Sequence, residues 1–148
     1  MSAALRKLSC ILQICNAGSL NWIKQSIIVN SKGSERNKMS YSQFKEFIKS
    51  IGLPRTEADE GELALTKVEA LKALRLLSDT NVAVLGGDVY KLESDGYFRP
   101  TYDNWCCNKE DMSASEFAKL SHEKSLQYLE SYNEGGDSNI RYVLVIDA

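Results

Sequence analysis

Two carboxylates, Asp88 and Asp103, stand on either side of a stretch full of turn residues, V-Y-K-L-E-S-D-G-Y-F-R-P-T-Y. If that stretch folds back on itself, the pair converges. Paired carboxylates can run acid–base chemistry or hold a divalent metal, as in a small metal-dependent hydrolase or nuclease. A plainer reading is favoured. Asp88 follows Gly86 and Gly87, where a bulge leaves backbone N–H groups for a carboxylate to satisfy, and Asp103 suits an Asx-turn. Cys106 or Cys107 with His122 would supply a nucleophile and its base. His122 is the only histidine, no known motif surrounds either cysteine, and His122 is expected on the wet side of a helix. Gly86-Gly87-Asp88 is only superficially like a phosphate loop, because G-x-x-x-x-G-K-[ST] and G-x-G-x-x-G are both missing. No catalytic, metal or cofactor site is assigned from these residues.

Composition narrows the choice further. The four cysteines, Cys10, Cys15, Cys106 and Cys107, include no C-x-x-C. They are expected to be reduced thiols in a reducing cytoplasm. A net charge of -2 over 148 residues gives no nucleic-acid or membrane signal. Leu5 to Val29 is moderately apolar, but Lys7, Gln13, Asn16, Asn21, Lys24 and Gln25 interrupt it. It is too broken for a membrane span and lacks a clean cleavage site. A cytoplasmic protein, a monomer or weak homodimer with one main domain, is the expectation.

Tyr90, Tyr97, Phe98, Tyr102 and Trp105 cluster together, with Arg99 among them. Tyr, Trp and Arg are enriched at interface hot spots. Strand alternation sends some of these rings inward and some outward. Trp105 and Phe98 are assigned to the core, and Tyr97, Arg99 and Tyr102 to the surface. Asp88, Tyr90, Tyr97, Arg99, Tyr102 and Asp103 form the candidate partner-binding set. Gly86, Gly87 and Trp105 form the candidate structural set.

The elements that must position these residues are legible in part. Val82 to Leu85 is an apolar run suited to a buried strand, and the two glycines after it predict a bulge or a close backbone approach. Ser94-Asp95-Gly96 predicts a turn with Gly96 at positive φ. A bulged hairpin over 82–102 follows, with Pro100 confining the return strand to an edge. Residues 103–108 read as an irregular loop. Phe44, Phe47, Ile48 and Ile51 share a face in a helix over 40–51, closed by a C-cap Gly52 and by Pro54. Residues 55–65, including the acidic run Glu57 to Glu62, read as a loop. Capping boxes at Thr66–Glu69 and Ser113–Glu116 open helices over 67–78 and 114–132. In the second, Phe117, Leu120, Lys124 and Tyr128 lie along one side, with Leu126 and Leu129 nearby. Ile140 to Ile146 is rich in β-branched residues and predicts an interior strand. The fold class is therefore α+β: helices packed on one face of a small antiparallel sheet, the hairpin plus the C-terminal strand. The single opening for a crossover is the long helix between the hairpin and that strand. Residues 1–38 are either an upstream extension or a short helical pair packed on a 39–148 domain.

Several of these segments together resemble the immunity protein 40 family of bacterial polymorphic toxin systems. They are the Ala- and Leu-rich helix Ala70 to Leu77, V-L-G-G-D-V-Y at 84–90 and P-T-Y-D-N-W at 100–105. S-x-x-x-S-x-x-Y-L at 121–129 and Y-V-L-V at 142–145 fit the same pattern. The resemblance covers about residues 40–147 and has no counterpart for residues 1–38, which favours an extension there. It implies a protein without catalytic residues that binds a toxin domain encoded by a neighbouring gene and blocks it by contact. The motif positions it marks are Gly86, Gly87, Asp88, Tyr90, Tyr102, Asp103 and Trp105. Cys106 and Cys107 fall outside that pattern.

Overall fold

The computed structural model describes residues 38–55 and 62–147. The segment expected as an extension, Cys10 and Cys15 with it, and most of the acidic run lie outside the described residues. In chain order the elements are α1 (Tyr41–Ile51), β1 (Leu53–Pro54), β2 (Leu63–Leu65), α2 (Lys67–Leu77), β3 (Ala83–Leu92), β4 (Phe98–Cys106), α3 (Ala114–Ser131) and β5 (Ile140–Asp147). The strands form one sheet in the order β1-β2-β5-β3-β4, antiparallel at every pairing. The fold is α+β, as expected, and β5 lies inside the sheet. β4 and β5 run parallel with β3 between them and are joined by α3, and β2 and β3 run parallel with β5 between them and are joined by α2, so the sheet has two crossovers where one was expected.

Each helix begins where its side chains replace missing backbone partners. Ser40, Thr66 and Ser113 each accept from the amide of the third helical residue, and Gln43, Glu69 and Glu116 return a bond to the cap amide. Each cap is worth about 1 kcal/mol. The core lies between helices and sheet, where Phe44, Leu74, Leu77, Val84, Val89, Leu129 and Tyr142 are fully buried. A smaller cluster of Ala64, Tyr90 and Val143, with Phe98 against it, forms separately.

Three local expectations need correction. The segment read as a loop over 55–65 is bounded by strands, β1 before it and β2 at its end; elements of two and three residues carry no detectable periodicity. Gly52 is the C-cap of α1, as expected, with its backbone extended at φ -81 and ψ 149. Its missing side chain matters for packing: a Cβ there would lie 2.7 Å from that of Leu63. The loop expected from residue 103 is strand through Cys106. The buried face of α3 is rotated from the one expected: Phe117, Ala118, Ser121, His122, Ser125 and Leu129 face inward, while Lys124 is exposed. Small residues at 118, 121 and 125 bring the helix close to the sheet, and apolarity alone does not reveal such a face.

Candidate functional site

The candidate residues sit on the β3–β4 hairpin, whose halves are built differently. In the first half Gly86 opposes Cys106 and Gly87 opposes Trp105. A Cβ on Gly86 would stand 2.1 Å from the Trp105 carbonyl oxygen, and Gly86 has φ +148. A Cβ on Gly87 would enter the Trp105 indole, 2.2 Å from its nearest carbon. The glycines leave room for that ring, which is 7% exposed. Its Nε1–H donates to Ser125 Oγ at 2.9 Å, and its face stacks on Tyr128 with centroids 4.6 Å apart. The register against β5 shifts between Val84 and Gly86. The Val84 amide is satisfied by Ser121 Oγ at 3.0 Å, which donates in turn to the Ala118 carbonyl at 2.8 Å. Ser121 and Ser125 were not assigned these roles from sequence. Their spacing of one helical turn, on a helix with few large apolar residues, was the available signal.

A second irregularity, not expected from sequence, lies between Asp88 and Tyr90. Asp88 opposes Asn104 and Tyr90 opposes Pro100, so Thr101, Tyr102 and Asp103 all stand opposite Val89. Thr101 Oγ1 donates to the Val89 carbonyl at 3.0 Å and accepts from the Asp103 amide at 3.2 Å. Between them, Tyr102 takes φ 70, a left-handed conformation rare for any residue with a side chain. It is 87% exposed, and among the described residues its side chain makes no hydrogen bond, ion pair or ring contact.

The turn forms as expected. The Gly96 amide bonds the Glu93 carbonyl and Gly96 takes φ 83. Tyr97 beside it is 69% exposed. Arg99 is exposed and pairs with Asp95 at 3.3 Å, an interaction worth little at the surface. Phe98 is half-buried. Tyr90 is 7% exposed, with the Arg55 guanidinium 5.4 Å from its ring centre. Arg55 is itself paired with Glu62 at 2.6 Å.

The two aspartates point apart. Directly opposed residues share a face of a sheet. Gly87 and Trp105 therefore face the helices, while Asp88, Asn104 and Val143 face the other way. Asp103 is turned to the helix side and accepts the Tyr132 hydroxyl at 2.8 Å. The register sets the two aspartates on different faces of the hairpin, which does not favour a paired-carboxylate site. Tyr128 lies nearby, its phenol pushed up to about 12 by burial first and then by Asp103, Tyr132 and Asp88. Burial and the bond to Asp103 likewise raise Tyr132, and burial with the bond to Glu134 raises Tyr142. These phenols remain protonated donors. Among the described residues, no group of three or more His, Cys, Asp or Glu is placed to hold a metal.

His122 is not on the wet side of its helix. It is 5% exposed, with Nε2 2.8 Å from the Val82 carbonyl. Burial lowers its pKa against the smaller opposing effects of that bond and of Glu123. The Cys107 sulfur packs on α3 against Ser121 and Ser125, while the Val82 carbonyl engages His122 Nε2. A groove of about 520 Å³ runs past His122, lined also by Ser78, Thr80, Glu116, Lys119 and Glu123. None of the candidate partner-binding residues of the hairpin lines it.

The arrangement is an α+β scaffold in which Tyr97, Arg99, Tyr102 and Asp103 are exposed on or beside the edge strand β4. Residues 47–146 match the family described as Immunity protein 40, and the chain belongs to that family. Comparison with curated proteins and with solved structures gives no match. No helix among the described residues is long and apolar enough to cross a membrane.

Proposed function

We propose that this chain neutralises a toxin domain of a bacterial polymorphic toxin system by binding it. The toxin is encoded by a neighbouring gene, and the immunity protein protects the producing cell in competition through contact, acting in the cytoplasm without a cofactor and without catalysis of its own. The observation that carries this reading is the family match across residues 47–146. The separation of Asp88 from Asp103 supports binding over hydrolysis. Tyr97, Arg99, Tyr102 and Asp103 form the proposed toxin-facing set, because all four are exposed. Asp88 and Tyr90 contribute from the opposite side of the hairpin by fixing its shape. The protein acts as a monomer or weak homodimer, and residues 1–38 are an upstream extension of the 39–148 domain, which mass spectrometry of the native N-terminus tests.

Co-expression with the product of the adjacent gene tests the function. Growth rescue and co-purification are expected. A toxin whose effect is undiminished by this chain would defeat the proposal.

A further inference from the structure

We infer that the toxin meets this chain at the outer edge of β4, with Tyr102 as the anchor that enters a concave toxin pocket whose rim is basic. This rests on the immunity reading above. Three independent observations lead to it. The first is exposure: among the described residues a large amphipathic ring stands in solvent with no hydrogen bond, ion pair or ring contact, although such rings carry much of the energy of cores and interfaces.

The second is backbone strain. Tyr102 is held at φ 70 by the two bonds of Thr101, to the Val89 carbonyl and from the Asp103 amide. A glycine would occupy this position without strain. Strained positions persist where the surroundings enforce them, and they cluster at binding sites. The third is charge. Residues 93–111 carry Glu93, Asp95, Asp103, Glu110 and Asp111 against only Arg99 and Lys109. Arg99 is already paired with Asp95. The stretch of chain that carries Tyr102 is therefore net negative, and a partner rich in lysine or arginine complements it.

The edge also dictates the manner of docking. β4 is the last strand of the sheet, and a free edge invites strand addition. The bond from the Glu93 amide to the Tyr97 carbonyl makes that a hydrogen-bonded pair. Pairs alternate along an antiparallel ladder, so the nitrogen of Pro100, opposite Tyr90, faces the open edge with no proton to give. The bulge at 101–103 then breaks the ladder. A partner strand finds no continuous set of donors here, whereas a convex aromatic fits a pocket.

The test uses the full chain and a catalytically inactivated form of the neighbouring toxin domain, with binding followed in real time and melting followed separately. Tyr102→Gly relieves the backbone and removes the ring. It is expected to melt at or above the wild-type temperature and to weaken binding by at least about thirty-fold. Tyr102→Phe keeps the ring and stays within about threefold of wild type. Glu110→Lys with Asp111→Lys slows association, and wild-type association slows as salt rises. Tyr102→Gly binding within about threefold of wild type overturns the anchor. Association indifferent to both salt and charge reversal overturns the basic rim. If wild-type chain neither binds nor rescues, the immunity reading fails; if wild type rescues and Tyr102→Gly binds as well, only this inference fails.

Discussion

Two aromatic residues on one strand, Trp105 and Tyr102, lie three positions apart and have opposite surroundings. Trp105 has its bulk against Gly87, its N–H on Ser125 and its face on Tyr128. Tyr102 has its ring in solvent and its backbone in a left-handed conformation. Both depend on an irregular register. At Trp105 the irregularity lets a helix and two strands close on a ring; at Tyr102 it interrupts the edge and turns a ring outward. Irregularity that ends in satisfied, buried groups serves stability. Irregularity that leaves a large side chain without a partner must be supported by the rest of the fold, and is where function is to be sought.

The widest gap between the two regions should come from Gly86→Ala. The new methyl would meet a backbone carbonyl 2.1 Å away at φ +148, so β3 and β4 must separate. A loss of about 3 kcal/mol or more is expected in urea denaturation. Stability within 1 kcal/mol of wild type would mean that the approach of β3 to β4 is not what these glycines provide. Next in size is Ser125→Ala, which leaves the buried Trp105 N–H without its acceptor. A loss of about 1–3 kcal/mol is expected. The same assay should show Ser125→Thr, which keeps the hydroxyl but adds a methyl to a packed face, between the two.

The sequence discloses the first region better than the second. Glycines beside a β-branched run announce close packing, and amphipathic periods with capping residues announce the helices. Thr66–Glu69 and Ser113–Glu116 form the expected boxes. What stays hidden depends on tertiary partners. His122 reads as a surface residue because its neighbours in sequence are polar, yet Val82, forty residues earlier, supplies the carbonyl that holds it inside. Ser121 and Ser125 read as neutral helix residues until β3 and Trp105 arrive to use their hydroxyls. The Tyr102 bulge has no glycine to mark it, so a pattern of types cannot reveal a left-handed tyrosine.

His122 gives a smaller, pH-dependent contrast between interior and edge. Burial lowers its pKa, so the folded chain takes up that proton less readily than the unfolded chain. Its contribution to stability is full above the ordinary imidazole pKa of about 6.5 and is lost as pH falls from there toward the folded value. Glu123 is its nearest acidic neighbour, and Glu116 and Lys119 share its groove. His122→Gln should flatten this part of the stability profile, read as melting temperature against pH. An unchanged slope would assign the dependence to carboxylates, whose titration lies lower.

The smallest effect on stability is expected at Tyr97→Ala, and it bears on the comparison from the other side. The hairpin turn is held by the Gly96 amide on Glu93 and by the Tyr97 amide on Asp95 Oδ1. Neither bond uses the ring, which is exposed. Melting should therefore stay within about 0.5 kcal/mol of wild type, while neutralisation of the toxin weakens. Gly86→Ala should act first on stability, lowering the fraction of molecules that fold. If Tyr97→Ala leaves neutralisation intact while Tyr102→Gly abolishes it, the toxin sits at the bulge and away from the turn. If both leave it intact, the β4 edge is an exposed but idle border, and strain at Tyr102 then needs a cause inside the fold.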